Sequence, residues 1–396
     1  NGYPEWIQFP DGKKESFQFD ARGRLLRQTD SLGKATVTAY HPSGEISSVV
    51  APDGSTRRFT WDPRRRLQKA TNAEGSTELA YDGNGRLISA TFANGLSLQY
   101  AYDSAGRPAS ITYPDGKVTR YQYDTSGRLA SVQDSAGSTL VEYRYDQAGR
   151  LSERRYASGA KTVYERNGRG QVLTQRTYSR EGSLTSGFVA TYDINGLPLT
   201  YETVEGRYQY IHDRAGRLRQ ESFTPVGESE RVITYQRDGN GELISITREG
   251  EVLPVSTNAN GRITEVGSTT ATWDASGNLQ ARIVDGQRMT YSHDGTGNLT
   301  KMVVGEDAYE LTYDALGFPM RLTTPEGRRD YLWDLSAGPR LLGEYTDSLH
   351  PVRMFRFGHG MEMAAKGNEA WFTVFDPLHG NPVEALSAST PSTLRA

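Results

Sequence analysis

The sequence predicts an all-β repeat protein, and three observations carry that prediction. First, the 396 residues include 42 Gly, 17 Pro and 23 Tyr but only 36% apolar side chains, a profile of turns and strands rather than helices. Second, residues between turns alternate in character, as in Lys34-Ala35-Thr36-Val37-Thr38-Ala39-Tyr40 and Lys117-Val118-Thr119-Arg120-Tyr121-Gln122-Tyr123, the period of two that gives a strand two distinct faces. Third, one phrase recurs along the chain: an aromatic, Asp, two small or polar residues, Gly, Arg and an aliphatic. Self-similarity at a fixed period marks a repeat architecture.

The elements follow from that phrase in chain order. Its cleanest copies are Phe19-Asp20-Ala21-Arg22-Gly23-Arg24-Leu25, Tyr81-Asp82-Gly83-Asn84-Gly85-Arg86-Leu87, Tyr123-Asp124-Thr125-Ser126-Gly127-Arg128-Leu129 and Tyr145-Asp146-Gln147-Ala148-Gly149-Arg150-Leu151. Looser copies place the Asp-equivalent at His41, Asp62, Asp103, Asn167, Asp193, Asp213, Asp238, Asn258, Asp274, Asp294, Asp314 and Asp334. Sixteen copies fill residues 20 to 334, mostly 20 or 21 residues apart, with extremes of 16 and 26. A second turn sits midway in many units, as at Pro10-Asp11-Gly12, Pro52-Asp53-Gly54, Ala93-Asn94-Gly95, Pro114-Asp115-Gly116 and Pro325-Glu326-Gly327. Each unit therefore holds two turns and two strands, the strands about 6 to 8 residues long.

The phrase has a physical reading. Gly supplies the positive φ that a short hairpin demands, and Asp caps the turn by accepting a backbone N–H from two residues on. Repeat arginines such as Arg86 and Arg128 stand ready as partners for the Asp carboxylates. The flanking aromatic and aliphatic residues fall at fixed places, so neighbouring hairpins stack them into ladders, and stacking rather than a compact core holds the chain together. The candidate residues are accordingly structural: Asp20, Gly23 and Arg24; Tyr81, Asp82, Gly85 and Arg86; Tyr102, Asp103 and Gly106; Tyr123, Asp124, Gly127 and Arg128; Tyr145, Asp146, Gly149 and Arg150; Asp213 and Gly216; Tyr313, Asp314 and Gly317.

Composition also removes several function classes. A mean hydropathy of -0.64 with no apolar run near ~18 residues speaks against a transmembrane helix. Net charge is -3, from 45 basic and 48 acidic residues spread along the chain, so no basic stripe points to nucleic acid. The absence of Cys removes disulfides, thiolate metal sites and cysteine nucleophiles, and suits an exported chain. The opening residues Asn1-Gly2-Tyr3-Pro4-Glu5-Trp6 hold neither an initiator Met nor a signal peptide, so the chain reads as a piece of something longer.

Chemical motifs reduce to repeat grammar. The six histidines, His41, His212, His293, His350, His359 and His379, show no metal-ligand spacing, and three replace the Tyr or Asp of a repeat. Asp82-Gly83-Asn84-Gly85 and Asp238-Gly239-Asn240-Gly241-Glu242, with Glu249 eleven residues after Asp238, echo a calcium loop. The sixth position should be Gly but is Leu87 or Leu243, so the turn reading is preferred and no metal is expected. Gly33-Lys34-Ala35 lacks the remainder of a phosphate loop, and Asn167-Gly168-Arg169-Gly170 opens no helix. No HExxH segment occurs and no Ser-His-Asp set can be nominated. No cofactor and no enzyme activity are expected. The single sequon, Asn298-Leu299-Thr300, falls inside a repeat.

The phrase and its period resemble the YD repeats of the Rhs family, shared with teneurins and the B and C components of insecticidal toxin complexes. The resemblance runs unit by unit from residue 20 to 334 and continues through Tyr331-Leu332-Trp333-Asp334 and Leu341-Leu342-Gly343-Glu344-Tyr345. Phe375-Asp376-Pro377-Leu378-His379-Gly380-Asn381-Pro382 is similar to the family's next box, with a residue added and the His displaced. The resemblance implies a β-hairpin spiral, a hollow shell or a section of one. In toxin members it implies a C-terminal toxic domain held inside and released by aspartyl self-cleavage. The chain is expected to stop short of that cleavage motif, and Asp376-Pro377 is not assigned the role.

The resulting expectation is one repeat domain over 1–334 and a divergent continuation over 335–396, together forming wall for a toxin or other passenger. Implied partners are the passenger or the remainder of the shell, and secretion-system or toxin-complex components. Implied location is secreted or cell-surface. The alternative is an adhesion or sugar-binding protein, using an exposed aromatic ladder or the extra segments at 176–190 and 222–235 to hold a glycan.

Overall fold

The computed structural model describes the backbone of residues 2–9, 12–336, 338–346 and 350–359 and of the strands Met361–Lys366, Glu369–Phe375, Pro382–Ser387 and Thr393–Leu394, with side chains described to residue 359. Every regular element among them is a β-strand, thirty-two up to Asp334, two for each of the sixteen repeats. Most are five to seven residues long. That is slightly shorter than the alternating runs suggest, because runs end in turn and bulge residues. Residues 376–381 of the looser box lie outside the described residues, as do Pro10 and Asp11 of the first midway turn.

The phrase makes its turn by local chemistry. Asp124 N donates to Arg128 O at 2.8 Å and Gly127 N to Asp124 O at 2.9 Å. Tyr123 pairs with Leu129, with a register shift between Gln122 and Tyr123. Gly127 sits at φ +80°, so the turn is a four-residue hairpin closed by a left-handed glycine bulge. Phe19–Leu25, Tyr81–Leu87 and Tyr145–Leu151 repeat the arrangement. At Asp62 the glycine position is held by Arg65 at φ +65°, a conformation costing an L residue ~1 kcal/mol. Some midway turns are tighter: Asp285 and Gly286, at φ +50° and +78°, join Val284 to Gln287, with both central residues left-handed as such two-residue loops require.

The chain divides into two compact units: residues 1–99 with 254–350, and residues 100–253 with 351–396. In the first unit, each strand from Trp6–Gln8 onward pairs antiparallel with its successor, and so does each from Glu251–Thr257 to Arg340–Tyr345. Turn side chains join the two stretches. Asn72 Nδ2 donates to Tyr313 O at 2.9 Å, Asn94 Nδ2 to Tyr331 O at 3.0 Å, and Gly295 N to Asp53 Oδ2 at 2.7 Å. Leu96, Leu98, Leu332, Leu342 and Tyr345 are fully buried.

The second unit repeats the plan, with successive antiparallel pairs from Pro108–Thr112 to Leu243–Arg248 and from Pro351–Phe357 onward. Arg356 lies 4.0 Å over the Tyr113 ring, and His359 sits edge-on to Tyr143 at 4.9 Å. Val132, Val141, Tyr143, Tyr156 and Ala160 form one buried cluster, and Phe188, Ala190, Tyr201 and Tyr210 another. Across the second cluster runs an aromatic ladder: Phe188 on Tyr201 at 4.5 Å, Tyr201 on Tyr208 at 6.2 Å, Tyr208 on Phe223 at 4.3 Å. Phe188 and Tyr201 keep only 4% and 5% exposure, so this ladder packs hairpins together and does not stand open as a sugar-binding ladder would. The rings face other rings because burial of that area outweighs leaving it wet. The extra segments at 176–190 and 222–235 go into lengthened strands, Leu184–Tyr192 and Leu218–Pro225 among them.

Candidate functional site

The residues singled out by the phrase meet at a joint that recurs from unit to unit. In the six copies that carry the Asp, the Gly and the Arg of the phrase together, both oxygens of the Asp carboxylate are engaged. Oδ1 of Asp20, Asp82, Asp103, Asp124, Asp146 and Asp213 accepts the backbone N–H of the residue four on at 2.9–3.0 Å. Oδ2 accepts Nε of Arg24, Arg86, Arg107, Arg128, Arg150 and Arg217 at 2.6–2.8 Å. Gly23, Gly85, Gly106, Gly127, Gly149, Gly216 and Gly317 each donate N–H to the Asp carbonyl and hold φ between +76° and +90°. The backbone N–H of Arg86, with its guanidinium, holds the Asp82 carboxyl below its ordinary value, because both donors favour the charged form.

The same arginine reaches the next unit. The guanidinium of Arg24 lies 4.5 Å over Tyr40, Arg66 4.8 Å over Tyr81, Arg107 4.2 Å over Tyr123 and Arg128 4.4 Å over Tyr145, within cation–π range. Arg66 Nη1 also donates to Asp82 O, and Arg150 Nη1 to Asn167 O, both at 3.0 Å. The aromatic answers in the opposite direction. Tyr40 Oη donates to Leu25 O at 2.9 Å, Tyr81 to Leu67 O at 2.9 Å, Tyr123 to Pro108 O at 2.8 Å and Tyr313 to Leu299 O at 2.8 Å. Trp61 and Trp333 make the equivalent bond through Nε1 to Ile46 O and Pro319 O, both at 2.7 Å. Tyr145 donates to Leu129 O at 2.6 Å and meets His359 Nε2. Tyr102 closes the strand Ser97–Tyr102 ahead of Asp103. The phrase thus couples a turn, the strand after it and the next unit's aromatic.

Departures from the phrase change the joint predictably. Asn278 and Asn298 replace the arginine with amides donating to Asp274 and Asp294 at 3.1 and 3.0 Å. The Asn298 amide of the sequon is thereby committed to its own turn. At Asp314 the arginine position is Phe318, and Thr77 Oγ1 donates to Asp314 Oδ2 at 3.3 Å. Burial pushes the Asp314 carboxyl up, since no adjacent guanidinium offsets desolvation there. Sequence reasoning missed three things: the arginine-to-aromatic stacking, the turn amides Asn72 and Asn94 that join distant stretches, and the Asp62–Arg66 pair behind the left-handed Arg65.

Among the described residues, no group of three or more His, Asp or Glu side chains is placed to hold a metal ion. No helix among them is long and apolar enough to cross a membrane.

Known proteins match the joint's wording and the fold. The RHS Repeat family matches residues 19–55, 40–77, 81–118 and 106–139, and the Teneurin YD-shell family matches 191–325. No curated protein matches the chain. Solved structures of TcdB2-TccC3 do, one of TcdB2-TccC3-TEV with TM-score 0.72 at 13% identity over 99% of this chain. TcdB2-TccC3 without its hypervariable C-terminal region gives 0.71 at 13% identity, also over 99%. The Photorhabdus luminescens Tc holotoxin pore gives 0.66 at 13% identity, over 98% of this chain and 23% of that one. The chain spans 24% of the length of the TcdB2-TccC3 chains. The fold is therefore that of YD-repeat shell proteins, and the chain belongs to the Rhs and YD-repeat family, whose wording its turns carry from Asp20 onward.

Proposed function

We propose that this chain is wall material, a section of an Rhs/YD-repeat shell that holds a C-terminal toxin or other passenger until delivery. The observation that carries the reading is the joint. The Asp, Arg and aromatic of the repeats are committed to their own turn or to the next unit, which is what a wall needs and a catalytic site does not. The repeats are structural, and the likeness to Tc toxin components over 99% of the chain supports the same role. Residues 335–396 would continue the wall begun by 1–334. A secreted or cell-surface location and partners among secretion-system or toxin-complex components follow from this reading. Sugar binding on an aromatic ladder is less well supported, because the rings of Phe188 and Tyr201 are buried against their neighbours.

The test is expression of the complete gene product, followed by intact mass and size-exclusion analysis in native and denaturing conditions. A polypeptide cut towards its C-terminus whose released piece co-elutes until denatured supports containment. A single uncut species, or a cut piece that separates freely under native conditions, refutes it and moves the reading to adhesion or scaffolding.

A further inference from the structure

Three successive midway hairpin ends of the second unit carry an aliphatic side chain into solvent: Val204 is 49% exposed, Val226 74% and Val252, at the start of the strand Glu251–Thr257, 61%. The turns are neighbours. Val226 N donates to Glu205 O at 3.0 Å. A cavity of about 580 Å³ lies between the next two hairpin ends, lined by Glu228, Ser229, Glu230, Arg231, Val232 and Glu249.

Their charge is one-sided. Glu205, Glu228, Glu230, Glu249 and Glu251 are all exposed, against Arg207, Arg231 and Arg248 at the same hairpin ends. Arg231 is already committed to Glu228 at 2.5 Å, which leaves four carboxylates against Arg207 and Arg248. The chain as a whole is nearly balanced, with 48 acidic and 45 basic residues. Glu249 is moreover held at φ +52°, a left-handed conformation that Gly or Asn would adopt with less strain. Exposed aliphatic surface bordered by one sign of charge is the composition of a docking surface, and its sign selects the partner.

We propose that this row of turns docks a basic segment of a partner protein, one in which Lys or Arg alternates with aliphatic residues. The aliphatic side chains cover Val204, Val226 and Val252, and the cations meet the carboxylates around the cavity. The surface would act whether or not the wall encloses a passenger, so the two readings fail separately.

The experiment uses the chain as it is and a fluorescein-labelled short peptide of alternating lysine and valine, read by fluorescence anisotropy. Saturable binding is expected, weakening steeply as salt rises from about 0.05 to about 0.5 M. Glu228→Lys, Glu230→Lys and Glu249→Lys combined should weaken it about ten-fold or more. Val226→Ser with Val252→Ser should weaken it by about three-fold or more. An alternating glutamate–valine peptide should not bind. Absence of saturable binding, equal binding of the acidic peptide, or undiminished binding to the charge-reversed variant each overturns the proposal. Photo-crosslinking of the basic peptide to the unaltered chain is independent of any variant's folding: adducts within 203–252 support the assignment and adducts elsewhere overturn it.

Discussion

Replacing Tyr81 by Phe isolates one bond of the repeat joint. The Tyr81 hydroxyl donates to Leu67 O at 2.9 Å, and its half-buried ring lies under the Arg66 guanidinium at 4.8 Å. Phenylalanine keeps the ring and removes only the donor, so the loss is that of one intramolecular hydrogen bond, ~1 kcal/mol. Alanine removes the ring as well, exposing the face that Arg66 covers and leaving a gap beside Leu67, for a loss of ~3 kcal/mol. In a repeat chain each unit leans mainly on its neighbours, so the loss should stay local. Hydrogen exchange followed by mass spectrometry reads such local opening. Backbone amides in 62–91 should exchange about five-fold faster in Tyr81→Phe and more than about a hundred-fold faster in Tyr81→Ala, with 279–293 unchanged. The same joint at residue 19 works with Phe19, which has no hydroxyl and is instead stacked by Tyr3 at 5.0 Å. Equal exchange in Tyr81→Phe and Tyr81→Ala would refute the division of the joint into ring and hydroxyl, and acceleration spread over the whole unit would refute nearest-neighbour coupling.

Further expectations rest on charge and backbone conformation. The carboxyls of Asp20, Asp82, Asp124 and Asp146 are held below their ordinary 3.8 by backbone N–H groups and arginines. Their contribution is therefore complete above that value and is lost as pH falls through the lower folded values; protection of the Asp-turn amides, taken relative to the intrinsic exchange rate at each pH, should stay constant down to about pH 4 and fall below it. Asp314 has the opposite sign: burial raises its carboxyl, so its charged form penalises the fold above the folded value and the penalty fades once pH drops below the unfolded one. Asp314→Asn, which keeps the turn-capping oxygen and lets its amide donate to Thr77, should raise Tm at pH 7 and lose that advantage near about pH 3; a lower Tm at pH 7 would sink the reasoning. Arg65→Gly should be nearly neutral in urea denaturation. Relief of a ~1 kcal/mol left-handed strain offsets the added glycine flexibility and the loss of the ion pair from the exposed Arg65 guanidinium to the nearly buried Glu45 carboxylate, worth ~1 kcal/mol or less after solvent screening. Arg65→Val, which cannot relax into φ +65°, should destabilise measurably.

What the sequence made legible is short-range. The turn at Asp124 is encoded within five residues: Asp supplies the cap, Gly127 the left-handed step and Arg128 the counter-charge. Repetition of that phrase then sets the strand count up to Asp334. The aromatic before the Asp was legible as a ladder member, but its hydroxyl acceptor was not. Leu67 O lies 14 residues before Tyr81, and only the bulged register of the intervening strands aims it there. The phrase also misled where its chemistry is supplied by another residue: Arg65 hides a normal Asp62–Arg66 turn, while Phe318 leaves Asp314 to Thr77.

By itself, then, the sequence determined the all-β class, the two-strand unit, the Asp turn and the family, because each is set by interactions within one period of the repeat. Only the tertiary structure decided which repeats meet. Asn72 to Tyr313, Thr77 to Asp314 and Asp53 to Gly295 span 241, 237 and 242 residues. No local pattern marks these partners, since near-identical turns compete for every such contact and small changes of twist and strand length accumulate over many units before selecting one. The same accumulation set the burial of Phe188 and Tyr201 and the exposure of Val226, residues that look alike when only alternation is visible.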